Sequence, residues 1–127
     1  DTDGRVDVAV SALTAPAELL WNRSPGGNAW LALELEGTRS NRDGLGAKIT
    51  LRVGNRVLSA ERKFAVGYAS ASTGPTHFGL GPMTGARRDA AGNALVDRIE
   101  IVWPGGMVQT LENVPVNQVL PVKEPAK

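Results

Sequence analysis

Apolar and polar residues alternate with a period of two along three stretches of the chain, residues 30–36, 48–53 and 98–103. Successive side chains of a β-strand point to opposite faces, so this period predicts strands that bury one face and expose the other. In the first stretch leucine occupies every position of one face, whereas the other face carries tryptophan, alanine and glutamate. We therefore predict that the leucine face lies in the core and that Trp30 lies on the outward face.

Glycine, proline and asparagine divide the chain into short segments. Residues 54–55 predict a two-residue hairpin turn, and residues 104–106 predict a second hairpin. Residues 67–85 are predicted to form a long loop that contains a short buried strand at residues 77–81. Seven to nine short strands, without a long helix-forming run, predict an all-β fold: an antiparallel β-sandwich-like domain or a partly open barrel.

The two ends of the chain have weaker patterns. Residues 8–12 and 17–23 are each typical of a short strand. Residues 114–122 are predicted to form one last strand at a sheet edge, because the prolines within it cannot donate to a hydrogen-bond ladder. Residues 123–127 are predicted to be a frayed tail.

The charge balance and the absence of cysteine exclude several kinds of function. The chain has 14 basic and 13 acidic residues, a formal net charge of +1, and the basic residues are scattered, which argues against a nucleic-acid partner. Without cysteine there is no disulfide, thiol nucleophile or thiolate metal site. No apolar run approaches the roughly 18 residues of a membrane span. The chain begins without methionine, and we expect it to be a processed piece of a longer protein.

The first seven residues carry the pattern of a calcium loop. Asp1, Asp3 and Asp7 stand around Gly4, and a tight loop can aim such carboxylates, with the backbone carbonyl of Arg5, at one point. Calcium takes six to eight oxygen ligands, and glycine permits the sharp turn between them. The alternative is an acidic turn in which aspartate side chains accept hydrogen bonds from the backbone. The seven residues by themselves fit both interpretations, the calcium loop and the acidic turn.

A polar loop follows the leucine strand and contains Asn41, Arg42, Asp43, Gly44 and Gly46. In the structural interpretation, the asparagine and aspartate satisfy backbone N–H groups, the glycines adopt unusual backbone angles, and the arginine fork ties strands together. In the functional interpretation, the loop recognises a partner or supplies a second calcium cluster. We favour the structural interpretation because two neighbouring oxygen side chains are too few for calcium.

Five separated motifs, in this order, resemble the ASPIC/UnbV domain over roughly residues 28–123. They are Asn28-Ala29-Trp30-Leu31, residues 40–47 (SNRDGLGA), Gly67-Tyr68, residues 77–81 (HFGLG) and residues 103–106 (WPGG). In that family the domain stands at the C-terminus of secreted proteins, after FG-GAP or VCBS-type repeats that build a calcium-binding β-propeller.

The resemblance implies a division of the chain and a setting. Residues 1–23 resemble the tail of an FG-GAP/VCBS-type repeat, and residues 24–127 form the ASPIC/UnbV-like β domain. Ca²⁺ is implied for the parent protein, in an extracellular or periplasmic compartment. The family loop usually opens with one more aspartate before the position of Asp1, so we expect the site to be incomplete in this chain. The family also tends to have glutamine where this chain has Ala71.

No catalytic residues are predicted. His77 is the only histidine, it lies in an apolar and glycine-rich motif, and no Gly-x-Ser-x-Gly elbow occurs. Large aromatic side chains offer better material for binding, and we single out Trp30, Tyr68 and His77 as possible ligand-binding residues. The predicted function is a non-catalytic interaction or adhesion module that caps the propeller and contacts an extracellular protein or glycan. The alternatives are a carbohydrate-binding module and, less favoured, a glycan-active enzyme.

Overall fold

The computed structural model describes residues 3–72 and 74–126, which form eleven short strands and no helix. No helix in this part of the chain is long and apolar enough to cross a membrane. In chain order the strands are β1 (Val8–Val10), β2 (Glu18–Leu20), β3 (Ala29–Glu36), β4 (Lys48–Val53), β5 (Arg56–Glu61), β6 (Ala65–Gly67), β7 (Ser70–Ala71), β8 (Thr76–Gly81), β9 (Leu95–Val102), β10 (Val108–Pro115) and β11 (Gln118–Lys123).

Two sheets form the body of the molecule. A four-stranded antiparallel sheet has the order β10-β9-β4-β5, and a three-stranded sheet has the order β11-β3-β8. In the three-stranded sheet β8 runs antiparallel to β3, whereas β11 runs parallel to it. The predicted all-β, sandwich-like architecture is confirmed. One pair departs from the antiparallel pattern, since β11 runs parallel to β3, and the eleven strands exceed the predicted seven to nine.

The core lies between the two sheets, as the alternation predicted. Each inward face presents branched aliphatic side chains at every second position, and Trp103 adds an indole that is 1% exposed. The Trp103 Nε1–H donates to Gln109 Oε1 at 3.0 Å, so this buried polar group is satisfied. The fully buried aliphatic residues of the two inward faces are Leu31, Leu33, Ile49, Leu51, Leu80, Val96, Ile99 and Ile101.

The C-terminal part departs from the prediction. The apolar run 114–122 is two strands, because the chain turns at Asn117 with a φ of 61° and passes from the four-stranded to the three-stranded sheet. Asn117 fixes this crossing by donating its N–H to Trp30 O at 2.6 Å and accepting the Trp30 N–H at Oδ1. The predicted edge position of the last strand is correct, since β11 is an outer strand.

The N-terminal ribbon, which consists of β1 and β2, contrasts with the sandwich. The two strands pair antiparallel, with Val8 opposite Leu20 and Val10 opposite Glu18. Every residue of both strands is exposed, so the ribbon buries no apolar face within the described structure.

Candidate functional site

The outward face of the three-stranded sheet carries an aromatic pair. Trp30 on β3 and His77 on β8 stack with ring centroids 5.8 Å apart and ring planes 12° apart. Ala32 lies directly across from His77 on one side and from Val119 of β11 on the other. Although the alternation turns Ala32 away from the core, its side chain is only 3% exposed. Ala32 is therefore covered by its surroundings, whereas His77 and Val119 in the same row are exposed.

Residues 4–7, which we call the strap, cross the aromatic pair. His77 Nε2–H donates to the carbonyl oxygen of Gly4 at 2.9 Å, which places the ring proton on this nitrogen. Gly4 has a φ of 86°, and a Cβ at this position would overlap the Trp30 indole. Two independent requirements, a left-handed backbone and close approach to an aromatic ring, thus explain glycine here.

Contacts to residues 22–24 hold the strap in place. Arg5 Nη1 donates to Ser24 O at 3.0 Å. The Asn22 N–H donates to Asp7 Oδ1 at 2.8 Å, and Asn22 Nδ2 donates to Val6 O at 3.3 Å. The segment that follows the N-terminal ribbon therefore clamps the segment that precedes it.

The predicted calcium residues have different surroundings. Asp1 lies outside the described residues. The Asp3 carboxylate accepts the Arg5 N–H at 2.9 Å and forms an ion pair with the Arg5 guanidinium, and this backbone N–H, more than any other cause, lowers the pKa of Asp3. Asp7 accepts from Asn22. Within residues 3–72 and 74–126 no three metal-ligating side chains come together, so Asp3, Arg5 and Asp7 by themselves do not form a calcium cage.

Two clefts flank the strap and the aromatic pair, and both are lined in part by Gly4, Trp30 and His77. The first, which we call the amide cleft because asparagine side chains line it, has a volume of about 1250 Å³. It is bordered by the 22–28 segment and the 82–85 loop. The apolar cleft has a volume of about 590 Å³, and its floor includes Ala32 and Val119. Trp30 itself is half-buried, so its indole is shared between packing and the cleft surfaces.

Tyr68 is not part of this arrangement. Its side chain is fully exposed in the turn between β6 and β7, and it lines neither cleft. The neighbouring Ala69 has a φ of 51°, which marks a tight turn. Of the three predicted ligand-binding residues, the structure therefore brings Trp30 and His77 together and leaves Tyr68 apart.

Two hydrogen bonds of the Asn41 side chain close the polar loop after β3. Asn41 Nδ2 donates to Leu45 O at 2.8 Å, and Asn41 Oδ1 accepts the Leu45 N–H at 2.7 Å. Gly44 and Gly46 have φ values of 62° and 87°, and Gly44 lies against the core, where a Cβ would crowd Leu35. The loop geometry thus depends on one amide and two left-handed glycines.

Arg42 and Asp43 are exposed, and the backbone carbonyl of each accepts a hydrogen bond. Arg42 O accepts the Gly37 N–H at 2.9 Å, and Asp43 O accepts Arg62 Nε–H at 3.3 Å. The guanidinium that connects separate segments here belongs to Arg62, which also donates to Gly74 O at 2.6 Å.

Glu124 has a structural role that the sequence pattern missed. The predicted frayed tail is wrong at Lys123, the last residue of β11, and at Glu124. The Glu124 side chain is 2% exposed. Its Oε2 accepts the N–H groups of Thr38, Arg39 and Ser40 at 2.8–2.9 Å, and its Oε1 accepts the Ser40 hydroxyl at 2.8 Å. Its own N–H donates to Glu36 O at 2.8 Å and continues the β11–β3 pairing. The C-terminus is therefore fastened to the polar loop.

Burial raises the pKa of Glu124, but the N–H donors of Ser40, Arg39 and Thr38 and the Ser40 hydroxyl outweigh it and bring the pKa to about 2. A single glutamate after the last strand gives no local signal for this role. Its donors lie 84–86 residues earlier in the chain.

The family model described as ASPIC and UnbV matches residues 37–127. No curated protein and no solved structure matches the chain. The matched span begins after β3, although β3 is the central strand of the three-stranded sheet. The folded unit thus extends N-terminal to the matched residues.

Proposed function

The chain belongs to the ASPIC and UnbV family, and from that premise we propose that it is a non-catalytic interaction module of a secreted protein. In this proposal the module caps an upstream calcium-binding β-propeller, and its N-terminal ribbon packs against the last blade. The compartment is extracellular or periplasmic, and the further partner is an extracellular protein or glycan.

The exposure of the N-terminal ribbon is the observation that carries this proposal. Val8, Val10, Leu19 and Leu20 are 51%, 44%, 53% and 53% exposed, and Trp21 beside them is 49% exposed. A two-stranded ribbon is marginally stable by itself in water, and its outer edges carry unpaired N–H and C=O groups that favour pairing with another strand. An adjoining propeller blade would supply both the missing apolar cover and the missing hydrogen bonds.

The surroundings of His77 support a non-catalytic role. Its Nε2 is engaged with the carbonyl of Gly4, and its ring stacks on Trp30. Among the serines near it in sequence, Ser70 donates its hydroxyl to Tyr68 O at 3.2 Å. General base catalysis requires hydrogen-bond contact between the base and a nucleophile, and the Gly4 carbonyl that His77 Nε2 contacts is not a nucleophile.

Calcium belongs to the parent protein in this proposal. The described loop holds Asp3 and Asp7 against protein donors, and a complete cage requires further oxygen ligands from upstream residues. In that setting the strap would join the metal loop of the propeller to the Trp30–His77 pair of the sandwich.

Hydrogen exchange tests the proposed packing. The amides of residues 8–20 are measured by mass spectrometry in this chain alone and in the longer protein that includes the upstream repeats. We expect fast exchange in the chain alone and slow exchange in the longer protein, with the amides of β4 protected in both. Equal exchange of residues 8–20 in the two proteins would contradict the proposal.

A further inference from the structure

We propose that the amide cleft is a binding site for a neutral oligosaccharide, and this inference does not depend on how the N-terminal ribbon packs. Four asparagines line the cleft: Asn22, Asn28, Asn93 and Asn117. A carboxamide offers both an acceptor oxygen and N–H donors. Sugar hydroxyl groups likewise donate and accept, so a carboxamide that is free at both ends complements a polyhydroxyl ligand better than it complements a simple anion or cation. Asn22, Asn93 and Asn117 use one or both ends of their amides within the protein, and Asn28 leaves both ends to a ligand.

The charged groups of the lining are largely committed to the protein itself. Asp3 and Arg5 form an ion pair with each other. Arg88 Nη1 donates to Gly92 O at 2.7 Å, within its own turn. The cleft therefore presents no concentrated charge, and this favours a neutral ligand over an acidic one.

Two polar side chains that line the cleft are available to a ligand. Asn28 lies on the 22–28 segment, and Thr84 lies on the 82–85 loop; both are exposed. Neither side chain makes a hydrogen bond to the rest of residues 3–72 and 74–126. Asn22 and Asn117, in contrast, fix the strap and the backbone of Trp30. The first pair can contact the ligand, whereas the second pair positions the walls.

The aromatic pair supplies the apolar part of the site. Ligand sites combine apolar or aromatic walls with a few placed polar groups, and the half-buried Trp30 indole, stacked on His77, borders the cleft. Gly79 pairs with Trp30 across β8 and β3 and faces outward beside the indole. A Cβ at Gly79 would meet no atom within 4 Å and would need no left-handed φ. This glycine keeps space open next to the ring.

The opening at Gly79 allows the cleft to be filled without straining the fold. The test uses isothermal titration calorimetry with neutral hexasaccharides of glucose, xylose, mannose and N-acetylglucosamine, and with a sulfated oligosaccharide. We expect saturable binding of at least one neutral hexasaccharide. Gly79→Val should remove this binding and leave the Tm unchanged. The matched control is Gly67→Val, which makes the same change in β6, outside both clefts.

Removing single hydrogen-bond partners should have smaller effects. Asn28→Ala and Thr84→Val should each weaken binding roughly two- to tenfold, as expected for one lost hydrogen bond. Tyr68→Ala should leave binding unchanged, since this exposed ring lines neither cleft. Three results would overturn the proposal: no neutral hexasaccharide binds, binding survives Gly79→Val, or only the sulfated oligosaccharide binds.

Discussion

The sandwich and the N-terminal ribbon are made of similar β-forming residues, yet they differ in what those residues bury. Leu33 in β3 is 0% exposed, whereas Leu20 in β2 is 53% exposed. The strands of the sandwich run to eight residues and face a second sheet, but the strands of the ribbon have three residues and face solvent. The comparison teaches that β-pairing alone does not bury apolar surface; a second layer is required.

The difference should be greatest for truncation of a leucine in each region. Leu33→Ala removes fully buried methyl groups and should lower the free energy of unfolding by about 2–5 kcal/mol. Leu20→Ala removes half-exposed surface and should change it by no more than about 0.5 kcal/mol. Urea denaturation of the two variants checks this. A similar cost for both would show that the ribbon is buried in solution, for example against a second copy, and would break the comparison.

The parts of the fold that could be predicted are those with a local signal. Burial of one face forces a period of two into the sequence, so the inward residues of β3, β4 and β9 could be identified without the structure. The division of residues 114–122 into two strands could not, because Val114, Val119 and Val122 suit either arrangement. The turn depends on Asn117, whose partner Trp30 lies 87 residues away.

The candidate site shows the same limit. Trp30 could be placed on the outward face of β3, since the alternation fixes its direction. Its stacking on His77 depends on the register between β3 and β8, and its contact with Gly4 depends on the path of the strap. Glu124 was missed for the same reason. The groups that surround its carboxylate belong to the polar loop, and no residue near Glu124 in the sequence indicates this contact.

An acid titration tests how much the ionised Glu124 carboxylate stabilises the sandwich. The pKa of Glu124 is lowered from 4.5 to about 2 in the folded protein, so the ionised carboxylate stabilises the fold above pH 4.5. This contribution should be lost as the pH falls from about 4.5 towards about 2, because the unfolded chain then binds the proton first. The Tm of the wild type, followed by circular dichroism, should decrease through this range.

Glu124→Gln identifies the source of that decrease. The variant should have a lower Tm at pH 7, and its Tm should fall less between pH 5 and pH 2.5 than that of the wild type. Glu112→Gln alters an exposed carboxylate of β10 and serves as the control, with a pH profile like that of the wild type. If the Glu124→Gln profile remains parallel to the wild-type profile, the buried carboxylate is not the titrating group.

The smallest effect is expected from calcium removal, which examines the ribbon side of the comparison. In this chain Asp3 and Asp7 already accept hydrogen bonds from Arg5 and Asn22, so EDTA should leave the Tm unchanged. In the longer protein that we propose, in which upstream residues would complete the cage, EDTA should lower the Tm. A rise in the Tm of this chain on adding calcium would show that the loop with Asp3 and Asp7 binds the ion without upstream ligands.

Asp7→Asn separates the two roles that the carboxylate could have. The amide oxygen of asparagine can still accept the Asn22 N–H, so the clamp on the strap should persist and the Tm of this chain should not change. The charge that favours a divalent cation is lost, so in the longer protein the substitution should reduce the Tm difference between calcium and EDTA. If Asp7→Asn lowers the Tm of both proteins by the same amount, in calcium and in EDTA alike, Asp7 serves only to hold the strap. A residue with a purely structural role contributes equally whether or not the metal is present.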